Sequence, residues 1–360
     1  MTLSLSPAAC RVRAHRLREL LGARGLDGAL ISARGHVHYF GGHWGGHNTA
    51  ALLLIETEGP TTLVAPRAPD GGHGADRVDV YTFNRYGTLA DDQMGRAAEA
   101  LGSRLAKLKR LGFDHTMRPE WFRGEAVSIL DDVYTLRRRK DEDEVAVIRT
   151  AIAATEAGYA AARVALKPGV TEVELFAEIQ RAAALHLGEV FSEIGNDFRI
   201  GEIAGSPRRR PAEAGEIAVL DLTIPVRGYH SDLCRSFVVG AEPTPRQRQA
   251  HARVVEALDF VEATARPGSS CREVFLQAQA MLDGHEGWEF RHHLGHGVGL
   301  SPHEAPHLNP EWDDTLEIGD VIAVEPAAYG SELRAGIRLE QMYRLGEAGL
   351  EKLSGFGLEL

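Results

Sequence analysis

Asp221 and Glu325 each interrupt a run that is otherwise apolar, IAVLDL at 217–222 and VIAVEP at 321–326. An isolated carboxylate in such a run is costly to bury unless it is paired, protonated or bound to metal. For either residue alone, a buried salt bridge is an equally good account. With their neighbours the two make a narrower case. Asp232 follows Asp221 by eleven residues, and the intervening PVRGYHS contains a turn, so a hairpin can return the second carboxylate to the first. Downstream come HHLGHGVGL around His296, then Glu325, then GIRLEQM around Glu340, all at expected strand positions. Four carboxylates and one imidazole supply enough hard ligands for two divalent cations. Without cations the four negative charges would repel one another strongly. The chemistry this set suits is hydrolysis, because bound cations bring the pKa of water towards neutrality.

An internal repeat must position these residues. ALKPGVTEVELFAEIQ at 165–180 parallels TARPGSSCREVFLQAQ at 264–279. In both copies a helix precedes a basic residue and Pro-Gly, and a small-residue turn then opens a second helix. Two copies are too few for a solenoid and predict the halves of one pseudo-symmetric domain. Turn signals at Glu213-Ala214-Gly215-Glu216 and Glu317-Ile318-Gly319-Asp320 precede the two apolar runs. The charge run LRRRKDEDEV at 136–145 marks a domain junction leading into a helix from Glu142 to about Leu166. Upstream, an amphipathic helix in RVRAHRLRELLGARG and the strand LDGALIS open an α/β pattern. Strands at Ala50 to Glu56 and Thr61 to Ala65, a long helix from Met94 to Leu108 and a strand at Arg110 to Asp114 complete it. The expected class is α/β (α+β), with one domain over 1–136 and another over 137–360.

A chain of 360 residues suits two domains, and its 44% apolar and 25% charged content is ordinary for a packed globular protein. The net charge of -11 argues against nucleic-acid or anionic-membrane partners, which need a basic face. Arg208 to Arg210 are the local exception, read either as a solvated loop or as a clamp for an acidic ligand group. The three cysteines are too scattered for a disulfide framework or a thiolate zinc site, which fits a reducing compartment. No apolar run approaches the length of a membrane span, and the N-terminus is charged where a signal peptide needs its apolar stretch. The expected location is the cytoplasm.

The segments LDLTIPVRGYHSDLCRSF, HHLGHGVGLSPHE, AVEP and GIRLE resemble, in order and spacing, the pita-bread-fold metallopeptidases of family M24. That family comprises methionine aminopeptidase, aminopeptidase P, prolidase and the creatinases. RLRELLGARGLDGALISARGHVHYFGG resembles the creatinase/prolidase N-terminal domain, which methionine aminopeptidases lack. The resemblance therefore implies a creatinase/prolidase-type domain followed by a pseudo-symmetric pita-bread catalytic domain. It also implies a homodimer, and a dinuclear hydrolase that cleaves Xaa-Pro bonds as a dipeptidase or an aminopeptidase P-like enzyme.

Carried over by position, Asp221 and Asp232 bind one cation, Asp232 and Glu340 bridge both, and His296 and Glu325 complete the second. Mn comes ahead of Co, Zn or Fe, although ligand types alone do not separate them. Glu325 orients the nucleophile and shuttles its proton. His303 donates to the carbonyl oxygen and the tetrahedral intermediate, unless it is a surface residue of SPHEAP. His292 matches another active-site histidine, while His293 reads as structural. Arg338 meets a substrate carboxylate or an acid behind the metal ligands. Gly297 and Gly299 let the backbone pass close to the metals. Trp44, with His43 and His47 in a glycine-rich loop after an expected strand, is a surface residue or shapes a substrate pocket in a dimer partner.

The pattern departs from the family at several places. A histidine expected about 17 residues before Asp221 is absent; that position is near Ala204, and no histidine occurs between His186 and His230. Thr223 stands for a usual glycine, Cys234-Arg235-Ser236 for T-R-T, and Gln341 for an acid. Thr223 and Gln341 remain able to hydrogen-bond behind the ligands. Two other readings follow: a creatinase-type hydrolase of a small C-N-bonded metabolite, or a non-catalytic binding protein. True creatinases lose the metal ligands, whereas all five are present here. A binding module has no reason to keep four mutually repelling carboxylates.

Overall fold

Long apolar strands and Pro-Gly-punctuated helices divide the chain into two units, Leu3–Arg137 and Arg138–Leu360. The computed structural model describes residues 3–46, 49–81, 89, 92–115, 121–191, 195, 197–283 and 287–360.

The first unit opens with α1 (Pro7–Ala23), capped by the Ser6 hydroxyl and begun by a proline at its first position. It continues through β1 (Gly28–Ile31), α2 (Arg34–Gly41), β2 (Leu52–Glu56), β3 (Thr61–Ala65) and β4 (Arg77–Val80). After α3 (Gln93–Glu99), α4 (Gly102–Leu105), β5 (Arg110–Phe113) and β6 (Glu125–Ser128), it ends in α5 (Leu130–Arg138). The sheet order is β4-β3-β2-β1-β5-β6. β1 pairs antiparallel with β2 and parallel with β5, so it is covered on both edges and all four of its residues are buried. The segment before the Trp44 loop is a helix rather than the expected strand. Residues His36 to Gly41 of α2 are all buried, so no polar face advertises the helical period. The single helix expected from Met94 to Leu108 is instead the pair α3 and α4, restarting at Gly102, a poor helix former.

The second unit contains α6 (Glu142–Ala165), α7 (Glu172–Leu187), β7 (Phe198–Ile200), β8 (Ile217–Leu222), β9 (Pro225–Val226), β10 (Tyr229–His230) and β11 (Leu233–Val238). Then come α8 (Pro245–Thr264), α9 (Cys271–Leu282), β12 (Gly295–Gly297), β13 (Glu304–Leu308) and β14 (Val321–Val324). It ends with β15 (Ala327–Gly330), β16 (Ala335–Arg338), β17 (Gln341–Gly346) and β18 (Gly349–Lys352). The two larger sheets have the orders β11-β8-β7 and β13-β12-β14-β17-β18, and β10-β9 and β15-β16 form two-stranded sheets.

The repeat organises these elements. Gly169 and Gly268, between the helices of each pair, take φ of +90° and +89°, a backbone conformation that side chains other than glycine rarely adopt. Their amides donate to Ala212 and Leu316, each at 2.8 Å. At the turns before β8 and β14, Gly215 and Gly319 donate to Val239 and Leu345, again each at 2.8 Å. β8 and β11 then form an antiparallel pair matched by β14 and β17, with a short hairpin inserted between the members of each pair. The two sheets meet where the Glu340 amide donates to the Cys234 carbonyl at 3.0 Å. On α8 the buried residues Ala250, Val254, Ala257, Leu258 and Val261 recur at helical spacing and join Ile217, Val219, Ile322 and Val324 in one core.

Candidate metal centre

The β8–β11 register sets Asp221 opposite Cys234, and Asp232 immediately precedes β11. In the other half Glu325 immediately follows β14 and Glu340 immediately precedes β17, while His296 sits in β12 beside Ala323 of β14. Asp221, Asp232, His296, Glu325 and Glu340 all line one cavity of about 550 Å³. Donor atoms of Asp232, His296 and Glu340 lie within 4.8 Å of one another, and all three residues are buried. His296 Nε2 is 3.4 Å from Glu325 Oε1 and 3.9 Å from Asp232 Oδ2. His296 Nδ1 lies 3.1 Å from the Gly297 carbonyl, which can only accept, so Nδ1 carries the hydrogen and Nε2 turns to the acids.

The electrostatics fit a cation. Burial, followed by repulsion from Asp232, Glu325 and Asp197, holds Asp221 well above the usual carboxylate range despite Arg338. Burial raises Asp232 to about 6, and burial with repulsion from Asp232 and Asp221 raises Glu340 well above its ordinary value. Burial alone would raise Glu325 too, but hydrogen bonds from His293 and His296 outweigh it and hold this carboxyl well below. Burial works against charge on His296, yet Glu325 and Asp232 carry it up to about 9. Glu340 Oε2 is buried with no hydrogen-bond partner, an arrangement that costs about 1–3 kcal/mol or more unless something binds it. An orphaned carboxylate oxygen within an oxygen-rich set is what a hard divalent ion would satisfy.

Behind the ligands, Arg338 is 4% exposed and donates from Nη2 to Asp221 Oδ2 at 2.8 Å and to Asp197 Oδ2 at 3.3 Å. Its Nη1 donates to the Tyr329 hydroxyl at 3.2 Å. His292 Nδ1 sits 2.7 Å from the His293 carbonyl and must donate there, so its Nε2 accepts from Tyr329 Oη at 2.8 Å. A polar chain thus runs from Asp221 through Arg338 and Tyr329 to His292. Thr223 donates to Asp232 at 2.8 Å, and Gln341 Oε1 accepts from Arg235 at 2.6 Å and from Ser354 at 2.6 Å. Both departures from the family pattern are therefore built into hydrogen bonds.

His303 lines the cavity with its ring 3.9 Å from that of His296, and burial, then repulsion from His296 and His293, lowers it to about 4. His293, read from the sequence as structural, faces the cavity instead, its Nε2 2.8 Å from Glu325 Oε1. Its spacing of three from His296 was the available signal. Tyr329 and Asp197 reach the site with no local signal at all. A Cβ on Gly297 would meet the Ala305 carbonyl at 2.1 Å, and one on Gly299 the Glu304 carboxylate at 2.5 Å, so both glycines let neighbouring segments approach closely. Ala204 lines the cavity where a histidine was expected. Arg208 pairs with Glu172 at 2.8 Å and Arg210 pairs with Glu216, so these two cations answer the protein's own acids. Within the first unit, the Arg34 guanidinium stacks 3.8 Å from the Trp44 ring, and His47 falls outside the described residues.

The profile described as "Metallopeptidase family M24" matches residues 146–347, and the one described as "Creatinase/Prolidase N-terminal domain" matches 13–124. A Xaa-Pro dipeptidase of Pyrococcus horikoshii is 25% identical over 353 residues, covering 97% of this chain and 98% of the relative. An uncharacterized peptidase of Bacillus subtilis is 26% identical over 357 residues, covering 94% and 96%. The solved structure of a Xaa-Pro dipeptidase from Bacillus anthracis superposes with a TM-score of 0.80 at 23% identity, over 98% of this chain and 99% of that one. The mixed α/β fold expected from the motifs is the one these structures share.

Proposed function

The chain belongs to metallopeptidase family M24, and from that premise we propose that it is a dinuclear Xaa-Pro peptidase. Its ligands in this reading are Asp221, Asp232, His296, Glu325 and Glu340. The observation that carries the reading is the convergence of these five side chains, with Glu340 Oε2 unpartnered, in a chain alike over its length to a Xaa-Pro dipeptidase.

Bound divalent cations supply an acidified water and polarise the scissile carbonyl. Glu325, held ionised by His293 and His296, takes the proton from the attacking water and passes it to the leaving nitrogen. His303, neutral at physiological pH, donates an N–H to the oxygen that gains charge in the transition state. Burial works against charge on His292, whose Nε2 accepts from Tyr329, and this ring borders the substrate. Arg338 is spent on Asp221, so its first duty is to hold that ligand, and contact with a substrate carboxylate is its second. Manganese leads among the metals, because carboxylate-rich sets suit it. The protein acts as a cytoplasmic homodimer without nucleic-acid or membrane partners, and Trp44 shapes the pocket of the partner copy. Among the described residues no helix is long and apolar enough to cross a membrane.

The test is turnover of the Mn-, Co- or Zn-loaded protein on Xaa-Pro dipeptides, longer Xaa-Pro peptides and non-proline controls. Proline-selective cleavage is expected with Mn or Co; no cleavage of any proline peptide with either metal verified as bound would overturn the reading. Trp44→Ala should alter the Michaelis constant or turnover, and unchanged values would remove Trp44 from the site. One observation favours a second reading, a creatinase-type hydrolase of a small C-N-bonded metabolite: Ala204 leaves one cavity wall without its expected imidazole.

A further inference from the structure

Three imidazoles form one wall of the cavity, and the five-ligand reading uses only one of them as a ligand. Nitrogens of His293, His296 and His303 lie within 4.8 Å of one another. The ring centroids are 5.4 Å apart for His293 and His296, 5.6 Å for His293 and His303, and 3.9 Å for His296 and His303. The outer two rings are open to solvent, His293 being 38% exposed, so an ion can reach them without passing the carboxylates. Glu325 closes the fourth side, with Oε1 2.8 Å from His293 Nε2 and 3.4 Å from His296 Nε2. Three nitrogens and one carboxylate oxygen are the donor set of a four-coordinate zinc ion. The deeper carboxylates favour a harder ion such as Mn²⁺, whereas imidazole favours Zn²⁺, Cu²⁺ or Ni²⁺.

We propose that His293, His296, His303 and Glu325 form an alternative cation site for zinc-like ions, exclusive with the five-ligand site because both need His296 and Glu325. Excess zinc then withdraws two ligands from the working centre and occupies His303 as well, so the protein is switched off by the borderline metal while a hard metal keeps it on. The exclusion rests on the five-ligand reading; the cage of three imidazoles does not. The plain alternative is that His293 only braces Glu325. In that case His303 has no part in zinc binding, and replacing it leaves zinc uptake as it was.

The test dialyses the manganese-loaded full chain against increasing Zn²⁺ and counts both metals per chain by elemental analysis, with no substrate present. The wild type should lose manganese as it gains zinc, and H293Q and H303Q should each need about tenfold more zinc for the same exchange. Exchange at the same zinc concentration in the wild type and both variants would overturn the proposal, since zinc would then be entering the five-ligand set directly. H303Q, which removes a ring outside the five ligands, carries the comparison if H293Q fails to load manganese. Failure of the five-ligand reading looks different: the wild type then takes up no pair of manganese ions. Zinc binding to the metal-free chain, weakened by H293Q and H303Q or not, still decides the cage.

Discussion

In the first half of the C-terminal unit, Gly169 and Gly215 stand at φ of +90° and +79° before a strand that carries Asp221 as its penultimate residue. In the second half, Gly268 and Gly319 take +89° and +94° before a strand that runs into Glu325. The frames match, and the two carboxylates they deliver do not. Asp221 faces a guanidinium, Arg338, and is still raised well above its ordinary value by burial. Glu325 faces His293 and His296 and is held well below. Pseudo-symmetry thus fixes where carboxylates stand, while the segments packed against each one decide its charge. One half holds its acid against a guanidinium, and the other keeps its acid ionised between two imidazoles.

Asp232 belongs to the first half, yet its carboxylate lies within 4.8 Å of donor atoms from His296 and Glu340 of the second, so its removal should have the largest effect. Asp232→Ala is expected to abolish metal uptake and lower turnover by at least about a thousandfold, a loss of about 4 kcal/mol in transition-state stabilisation. Metal stoichiometry and steady-state kinetics check it, and persistence of both would overturn the site. The contrast between the halves also predicts protons. Asp221, Asp232 and Glu340 are raised, and His296 is raised to about 9, so the metal-free site carries protons at neutral pH that a cation must expel. Loading should release more than one proton per chain at pH 7, and release should grow as the pH falls towards 6, where Asp232 protonates. Calorimetric titration in buffers of different ionisation enthalpy measures this. Release that shrinks as the pH falls would reverse the assigned directions.

Arg338→Met tests the holding half. Removing the guanidinium leaves Asp221 buried without its counter-charge, which costs about 3–5 kcal/mol when a buried pair is broken. In the metal-free protein Asp221 can answer the loss by taking up a proton, so the loss should grow as the pH rises, and it should be smaller with metal bound, because a cation then balances the carboxylate. Chemical denaturation with and without Mn²⁺ separates the two. Equal losses would mean that Arg338 serves packing or Tyr329 rather than Asp221.

The frame was legible because its signals are local. Lys-Pro-Gly and Arg-Pro-Gly mark the helix pairs, and a lone acid in IAVLDL or VIAVEP betrays itself by its neighbours. What surrounds each acid was not legible, because it is assembled from afar. Asp197, Tyr329 and Arg338 meet only through tertiary packing, and His293 differs from His292 by which way an irregular segment turns each ring. α2 escaped for another reason: buried on every side, it offers no alternation between apolar and polar faces.

The smallest expected effect tests the frame itself. Gly169 and Gly268 both have positive φ, and a Cβ built on either meets nothing within 4 Å. Gly169→Ala and Gly268→Ala therefore differ from wild type only in backbone strain, since no contact is gained or lost. A non-glycine residue in left-handed backbone costs about 1–2 kcal/mol, and the two variants should lose the same amount. Denaturant midpoints with unchanged slopes would show it. Matching losses would mean that the two Pro-Gly turns bear equal load, so the asymmetry of the site begins downstream of them. A clear difference would place it in the frame, with one helix pair less firmly anchored to its strands than the other.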